Sequence, residues 1–404
     1  MRIVIFGLPY SANVGDGVIA ECLAHELRRA KPGVHVDHVD LSGRNGFGAQ
    51  TLRNRSAALA VLSALPLRLR QRLVIWRLGK MLAALCPGWV QAARGADLAV
   101  IGGGQLFSDA DLNFCLKVAQ AADVLRAART PVAVYGVGVS RNWTRAGTAL
   151  FNRVFSTDLR SVGVRDPASA EAWADQTAGA GPEPVLTRDP GLLAASCYTA
   201  PVMPGHSVGV CVTDPKILAY HADGAVAGRG IDFFAALTGA LVAAGRDVTL
   251  FCNGAEEDRA ALARLAAHPQ VAALVAKGRV RAAPAPGTPT DLAAIIAACD
   301  GVIAHRLHAC ILAYAFAVPC VGLGWDRKLE SFFTSVGAAR FFIGGAGADA
   351  TEVAQRCEAA VAAGVDPGRH AEVLAESRAG AAALLTLVNP ESAPPPGAAS
   401  SGNR

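Results

Sequence analysis

The stretch Asp300–Phe333, DGVIAHRLHACILAYAFAVPCVGLGWDRKLESFF, decides the fold. Gly301–Ala304 is a short apolar run, Leu307–Phe316 is a helix-length series of small and apolar residues, and Val318–Pro319 stops that helix before a second apolar run, Cys320–Gly324. Strands that are apolar throughout, joined by a helix, are the mark of a parallel sheet covered on both faces. The polar residues His305, Arg306 and His308 then stand at the C-terminal end of the first strand and in the first turn of the helix.

The same alternation runs outward in both directions. Strands are expected at Arg2–Gly7, Val34–Asp40, Asp97–Gly102, Pro131–Val139, Ser161–Arg165 and Pro184–Leu186, then at Ser207–Thr213, Asp247–Cys252, Gly301–Ala304, Cys320–Gly324 and Phe341–Ile343. The connection Pro190–Pro204 has neither a helical nor a strand period, so the boundary is set there. The expected fold class is α/β: two doubly wound, Rossmann-like domains, residues 1–200 and 201–388, facing a cleft at the C-terminal ends of their strands. Two helices are expected between Ala350 and Val388. The tail 389–404, NPESAPPPGAASSGNR, has too little apolar content to repay its ordering.

Composition agrees with two globular domains. A chain of 404 residues exceeds what one hydrophobic core supports, and 52% hydrophobic against 18% charged residues gives ample material to bury. A net charge of +5 without a basic block or interleaved aromatic platform gives little support for nucleic-acid binding. Ten cysteines without a C-x-x-C pair read as reduced thiols. The start, MRIVIFGLPY, reads as a first strand rather than a signal peptide, and no run approaches the ~18 uninterrupted apolar residues of a membrane span. The expectation is a cytoplasmic protein, with peripheral contact at the inner membrane face left open. That contact would run through Leu65–Leu85, where Arg68, Arg70, Arg72, Arg77 and Lys80 interrupt an apolar run. The stretch is either a basic amphipathic element for an anionic bilayer or an ordinary helical insertion with arginines in water.

A helix N-terminus beside a guanidinium favours an anion, which makes Arg306 the candidate anion-binding residue and His308 the candidate proton carrier. The alternative is that both cap the helix and pair with surface carboxylates. A metal pair of His305 and His308 lacks a third ligand at recognisable spacing. Gly15, Gly102, Gly103 and Gly104 permit sharp turns and close approach to a ligand, or serve turn geometry alone. Asn13 and Asp16 either orient sugar hydroxyls or cap the helix beginning near Val18. Asp189, in R-D-P-G, reads as a turn residue.

The run R-L-H-A-x-I-L-A-x-A-x-x-V-P, followed by a strand and W-D-x-K, resembles the C-terminal signature of polysaccharide pyruvyltransferases. Four further segments agree in order: Tyr10–Gly17 (YSANVGDG), Ile101–Asp109 (IGGGQLFSD), Tyr135–Val139 (YGVGV) and Val162–Ser169 (VGVRDPAS). The resemblance spans roughly residues 1 to 345. It implies the GT-B arrangement of two facing domains and a transferase that moves a pyruvyl group from phosphoenolpyruvate to a saccharide, with the acceptor lipid-linked or not. It implies further that Arg165 and Arg306 hold the donor, that His308 moves the proton, that Lys328, Asn13, Asp16, Gly103, Gly104 and His305 line the substrates, and that no metal or cofactor is required. A GT-B glycosyltransferase with a nucleotide sugar is the alternative, and a non-catalytic sugar-binding or assembly partner is a third reading. Two departures stand out: Gly17 where many members carry an acidic residue, and Trp325 in place of a more usual tyrosine.

Overall fold

The computed structural model describes residues 1–48, 66–199, 207–215, 230–324, 327–345 and 347–388. The first domain runs β1 (Arg2–Gly7), α1 (Val14–Ala30), β2 (His35–Asp40), α2 (Leu67–Ala93), β3 (Leu98–Gly102), α3 (Asn113–Ala128), β4 (Val132–Val137), α4 (Arg145–Phe151), β5 (Leu159–Val164), α5 (Pro167–Thr177) and β6 (Val185–Leu186). After the short helix α6 (Ala194–Cys197), the second domain continues β7 (Ser207–Cys211), α7 (Ile231–Ala243), β8 (Asp247–Phe251), α8 (Glu256–Ala266), α9 (Pro269–Ala276), β9 (Val280–Ala282) and α10 (Pro289–Ala297). It closes with β10 (Gly301–Ala304), α11 (Leu307–Ala315), β11 (Cys320–Leu323), α12 (Arg327–Ser335), β12 (Phe342–Ile343), α13 (Ala350–Ala363) and α14 (Pro367–Thr386).

The strands form two six-stranded sheets, β2-β1-β3-β4-β5-β6 and β12-β11-β10-β7-β8-β9, and every strand pairing is parallel. Each sheet reverses its winding once, between β1 and β3 in the first and between β7 and β10 in the second. Ligands of such sheets lie beyond the strands' C-terminal ends at those points. The reason for the fold is plain in the burial: β3, β4 and β10 are buried at every residue, as strands covered on both faces must be.

Three features depart from the sequence reading. The edge strand β9 was not expected, because Val280-Arg281-Ala282 has only one buried residue and no apolar run. The last helix, assigned with the second domain, returns to the first: Ala381 and Leu384 pack with Ile3, Ile5, Val36, Val100 and Tyr135 beneath the β1–β4 sheet. An amphipathic helix carries no mark of which sheet it will cover. Finally, α2 is more apolar than expected: within Leu69–Ala93 an 18-residue window reaches a mean hydropathy of 1.3, so by length and composition it matches a membrane-crossing helix. The tail 389–404, part of the interdomain connection, Leu65 and Trp325-Asp326 lie outside the described residues.

Helix α1 joins the two halves. Leu23, Ala24 and Leu27 sit under the first sheet, whereas Val14, Val18 and Cys22 pack in one cluster with Leu192, Leu193 and the core of the second domain. The N-termini of α1 and α11 are thereby brought against each other, at the place where both sheets present their strand ends. The described cysteines are all unpaired, with only Cys86 and Cys197 partly exposed.

Candidate active site

His308, in the first turn of α11, is nearly buried between two carboxylates of the first half of the chain. Its Nδ1 lies 3.7 Å from Asp16 Oδ1 and its Nε2 4.0 Å from Asp189 Oδ2. Asp16 belongs to the first turn of α1. The approach is close enough that a Cβ on Gly15 would come within 2.5 Å of the His308 Cβ, so Gly15 is a requirement of domain contact. Gly17 likewise has no room for a side chain, since its Cβ would meet the Pro9 carbonyl at 2.7 Å and Pro289 at 2.9 Å. An acidic residue cannot be accommodated there in this packing.

Burial first, then the positive charges of Arg165, Arg306 and Lys328, push the His308 imidazole down to about 3, so it is neutral near pH 7. This corrects the expectation of a group titrating near neutrality. Desolvation moves the carboxylates the other way: burial holds Asp16 and Asp189 above their ordinary values, against the pull of a Ser11 hydrogen bond on Asp16 and of the Arg165 charge on Asp189. Asp189 serves two purposes. Its Oδ1 accepts from the Gly191 N–H at 2.9 Å, the turn role read from R-D-P-G, while its buried Oδ2 has no hydrogen-bond partner and faces the site.

Arg165 stands just beyond β5 and is 9% exposed. Its Nη2 donates to Gln105 Oε1 at 2.9 Å, and its Nη1 is 3.8 Å from Asp189 Oδ2. Gln105 is in turn tied to Ser140 by a 2.7 Å hydrogen bond, which orients the carboxamide. A side chain on Gly138 would run into Gln105 and Arg165, which explains the glycine in Y-G-V-G-V. Arg165, Arg188, Asp189 and Lys328 line one small cavity of ≈ 20 Å³ between the domains. That volume holds about one water, so a larger ligand enters only as the domains part.

Arg306 stands at the N-cap of α11, where its motif puts it, and is paired with a buried carboxylate. Its Nε and Nη2 both bond Asp258 Oδ2, at 2.9 and 2.7 Å, and Asp258 is fully buried in the first turn of α8. The other Asp258 oxygen accepts from the backbone N–H of Asp214 at 2.9 Å. The partner is therefore an interior carboxylate rather than a surface one, and it fixes the guanidinium beside the cleft. Asp258, Gln105 and the site-facing side of Asp189 escaped the sequence reading. Each acts through a partner tens of residues away, and E-E-D at a helix start looks like an ordinary acidic first turn.

His305 is fully buried, and its ring packs edge-on against Phe234 at 5.8 Å. It offers no surface to a substrate in this conformation. The His305 and His308 rings therefore sit in separate surroundings, one in the core and one in the cleft. Gly103 and Gly104 have φ of +81° and +69°, and Gly104 borders Asp16, whose Oδ1 would lie 3.8 Å from a Cβ there. Asn13 precedes α1 without capping it through its side chain, and its Oδ1 is buried with no hydrogen-bond partner. Beside it opens a second interdomain pocket of ≈ 180 Å³, lined by Tyr10, Ser11, Arg44 and Phe47 from one domain and Glu256 and Arg259 from the other.

Two facing parallel-sheet domains with the site between them are the GT-B arrangement, and solved structures agree on the fold. The chain is similar to the UDP-GlcNAc 2-epimerase of Methanocaldococcus jannaschii, with TM-score 0.53, 10% identity, and coverage of 91% of this chain and 93% of that one. It is similar also to MnaA of S. aureus in a co-structure with UDP, with TM-score 0.51, 10% identity, and coverage of 93% and 91%. No curated protein matches the sequence. Residues 13–327 match the family described as polysaccharide pyruvyl transferase, and the chain belongs to that family of transferases.

Proposed function

We propose that the protein transfers a pyruvyl group from phosphoenolpyruvate to two hydroxyls of one sugar, in a cell-surface or exopolysaccharide or its lipid-linked precursor, forming a cyclic ketal. The observation that carries this reading is the convergence of Arg165, Lys328, the N-terminus of α11 and the neutral His308 at one interdomain point. Fixed positive groups and a helix N-terminus suit the phosphate and carboxylate of the donor, and a buried imidazole suits proton transfer.

In this account Arg165 and Lys328 hold the donor's anionic groups as the domains close, with Arg306 adding its charge from the second domain. One sugar hydroxyl bonds to C2 of phosphoenolpyruvate while the methylene carbon C3 gains a proton and becomes a methyl. His308, between Asp16 and Asp189, carries the proton from the hydroxyl toward C3. The C2–O bond to phosphate then breaks, the second hydroxyl bonds to C2, and its proton leaves with inorganic phosphate. Arginine and lysine charge offsets the charge on the departing phosphate, so the chain needs no metal or cofactor for this step. The acceptor sugar is assigned to the pocket beside Asn13, where Tyr10, Ser11 and Arg44 offer hydrogen-bonding groups. The reaction belongs in the cytoplasm or at the inner membrane face, where phosphoenolpyruvate is available.

The second reading, a glycosyltransferase using a nucleotide sugar, draws support from the strand order of the second sheet, whose switch point beside Arg306 suits a diphosphate equally well. Incubation with phosphoenolpyruvate and a saccharide panel separates the two: phosphate release together with a new ketal carbon in the saccharide's NMR spectrum supports pyruvyl transfer. Release of a nucleoside diphosphate from a nucleotide sugar, with no ketal, supports the other.

A further inference from the structure

Helix α2 carries two apolar faces, and only one is used by the fold. Leu82 and Trp89 are buried, and Leu78, Met81, Leu85 and Val90 pack beside them against the first-domain core. On the opposite side Leu69, Leu73 and Trp76 follow one another at i, i+4 and i+7, at 52%, 43% and 60% exposure. Of the seven large hydrophobic residues exposed among the described residues, four, Ile75 included, are on this one helix. A water-facing helix would place polar residues there.

The charges on the same helix are all of one sign. Across its 27 residues there is no aspartate or glutamate, and Arg72, Arg77 and Lys80 are exposed beside the apolar stripe. Lys80 lies over the Trp76 ring, 4.4 Å from its centre. Arg70 is the exception, held by Asp111 at 2.7 Å.

The helix is also longer than the sheet it flanks. Its last turn is fixed near the N-terminal ends of the strands, where the Arg94 carbonyl accepts from Arg2 at 2.7 Å and the Ala93 carbonyl from Thr130 at 3.1 Å. Leu85 already touches the loop after β2, at Gly43. At ~1.5 Å per residue, the part before Leu85 projects past the strand ends on the cleft side. Because the inner face is built into the core, the helix cannot cross a bilayer without dismantling the domain, although its composition would allow it.

We infer that the outward face of α2 seats the first domain on the surface of an anionic phospholipid bilayer, with Leu69, Leu73 and Trp76 among the acyl-chain ends and Arg72, Arg77 and Lys80 at the headgroups. A helix lying in the interface has this composition, and its basic residues supply attraction to anionic lipid. The surface rests on the proposed reaction only in that a lipid-linked acceptor would be presented beside the cleft. Its test uses no substrate, so its failure leaves the donor assignment untouched.

The test is co-sedimentation of the full chain with vesicles of phosphatidylglycerol and phosphatidylcholine, beside vesicles of phosphatidylcholine alone. The expected result is binding to the anionic vesicles that weakens as salt is raised, and little binding to the zwitterionic ones. Arg72→Ala, Arg77→Ala and Lys80→Ala should each weaken partitioning by about five-fold. A Leu73→Glu and Trp76→Glu double variant, whose exposed positions leave the melting temperature unchanged, should not sediment. Failure of the wild type to bind anionic vesicles, or equal binding by the double variant, would overturn the inference. So would a wild-type dimer that the double variant turns into a monomer without vesicle binding by either, because the stripe would then serve a second copy.

Discussion

Nδ1 of His308 and Oδ1 of Asp16 face each other at 3.7 Å across the interface of two domains, one at the N-terminus of α11 and the other in the first turn of α1. A pair contributed by two separately folded sheets forms only when the cleft is closed, and the rest of the site is arranged around it. Replacing His308 by Asn keeps a polar side chain of lesser reach and removes the proton carrier. Turnover should fall by roughly 10²- to 10⁴-fold while donor affinity changes little. Steady-state rates and titration calorimetry on the same variant check this, and unchanged turnover would remove His308 from the mechanism.

Gly15 makes that approach possible, so Gly15→Ala should separate domain closure from folding. Its new methyl would press on His308, at a cost of about 1 to 3 kcal/mol typical of overpacking. The expected outcome is a folded protein with a lowered melting temperature and a larger loss of kcat/KM than Gly88→Ala, where no atom lies within 4 Å of the added carbon. Circular dichroism with kinetics on both variants decides it. Equal losses would mean that Gly15 serves only its own helix.

The charge state of His308 gives a pH prediction with a definite sign. Its folded value, about 3, lies below the unfolded value near 6.5, so between these limits the unfolded chain binds more protons than the native one. The native state therefore loses stability as pH falls through that window, and His308→Asn should show a shallower loss in denaturant titrations. Donor binding acts in the opposite direction on part of this shift: burial is the larger cause, and the donor's anionic groups offset the Arg165, Arg306 and Lys328 charges that add to it. Calorimetry in buffers of different ionisation enthalpy should show net proton uptake by the wild type when phosphoenolpyruvate binds, and less by His308→Asn.

The pair of Arg306 and Asp258 predicts a structural effect distinct from the catalytic ones. Asp258→Ala leaves a guanidinium beside the core without its buried partner and should cost about 3 to 5 kcal/mol of stability. The double variant, Asp258→Ala with Arg306→Met, should recover part of that loss without recovering activity. Urea unfolding of the two variants measures it. A single variant as stable as the wild type would show that Asp258 does not hold Arg306.

Much of this was legible in the sequence because buried parallel strands write themselves as apolar runs. The run ending at Ala304 and the helix after it placed Arg306 and His308 correctly at a strand end, and the ordered motifs brought Arg165 and Lys328 into the same account. Strand β9 escaped because an exposed edge leaves no such run. The side on which a strand-end residue lies is also hidden, since nothing beside His305 in the sequence shows that Phe234 covers it. The partners Gln105 and Asp258, separated by 60 and 48 residues from the arginines they hold, are products of the topology. The return of α14 to the first domain is another.

The most direct measurement of the central claim is titration calorimetry of the purified protein with phosphoenolpyruvate, beside Arg165→Ala and a panel of nucleotide sugars. The account predicts that phosphoenolpyruvate binds, that Arg165→Ala weakens it at least about ten-fold, as loss of a charged hydrogen-bonding partner should, and that the nucleotide sugars give no heat. Binding of a nucleotide sugar with none of phosphoenolpyruvate would contradict it.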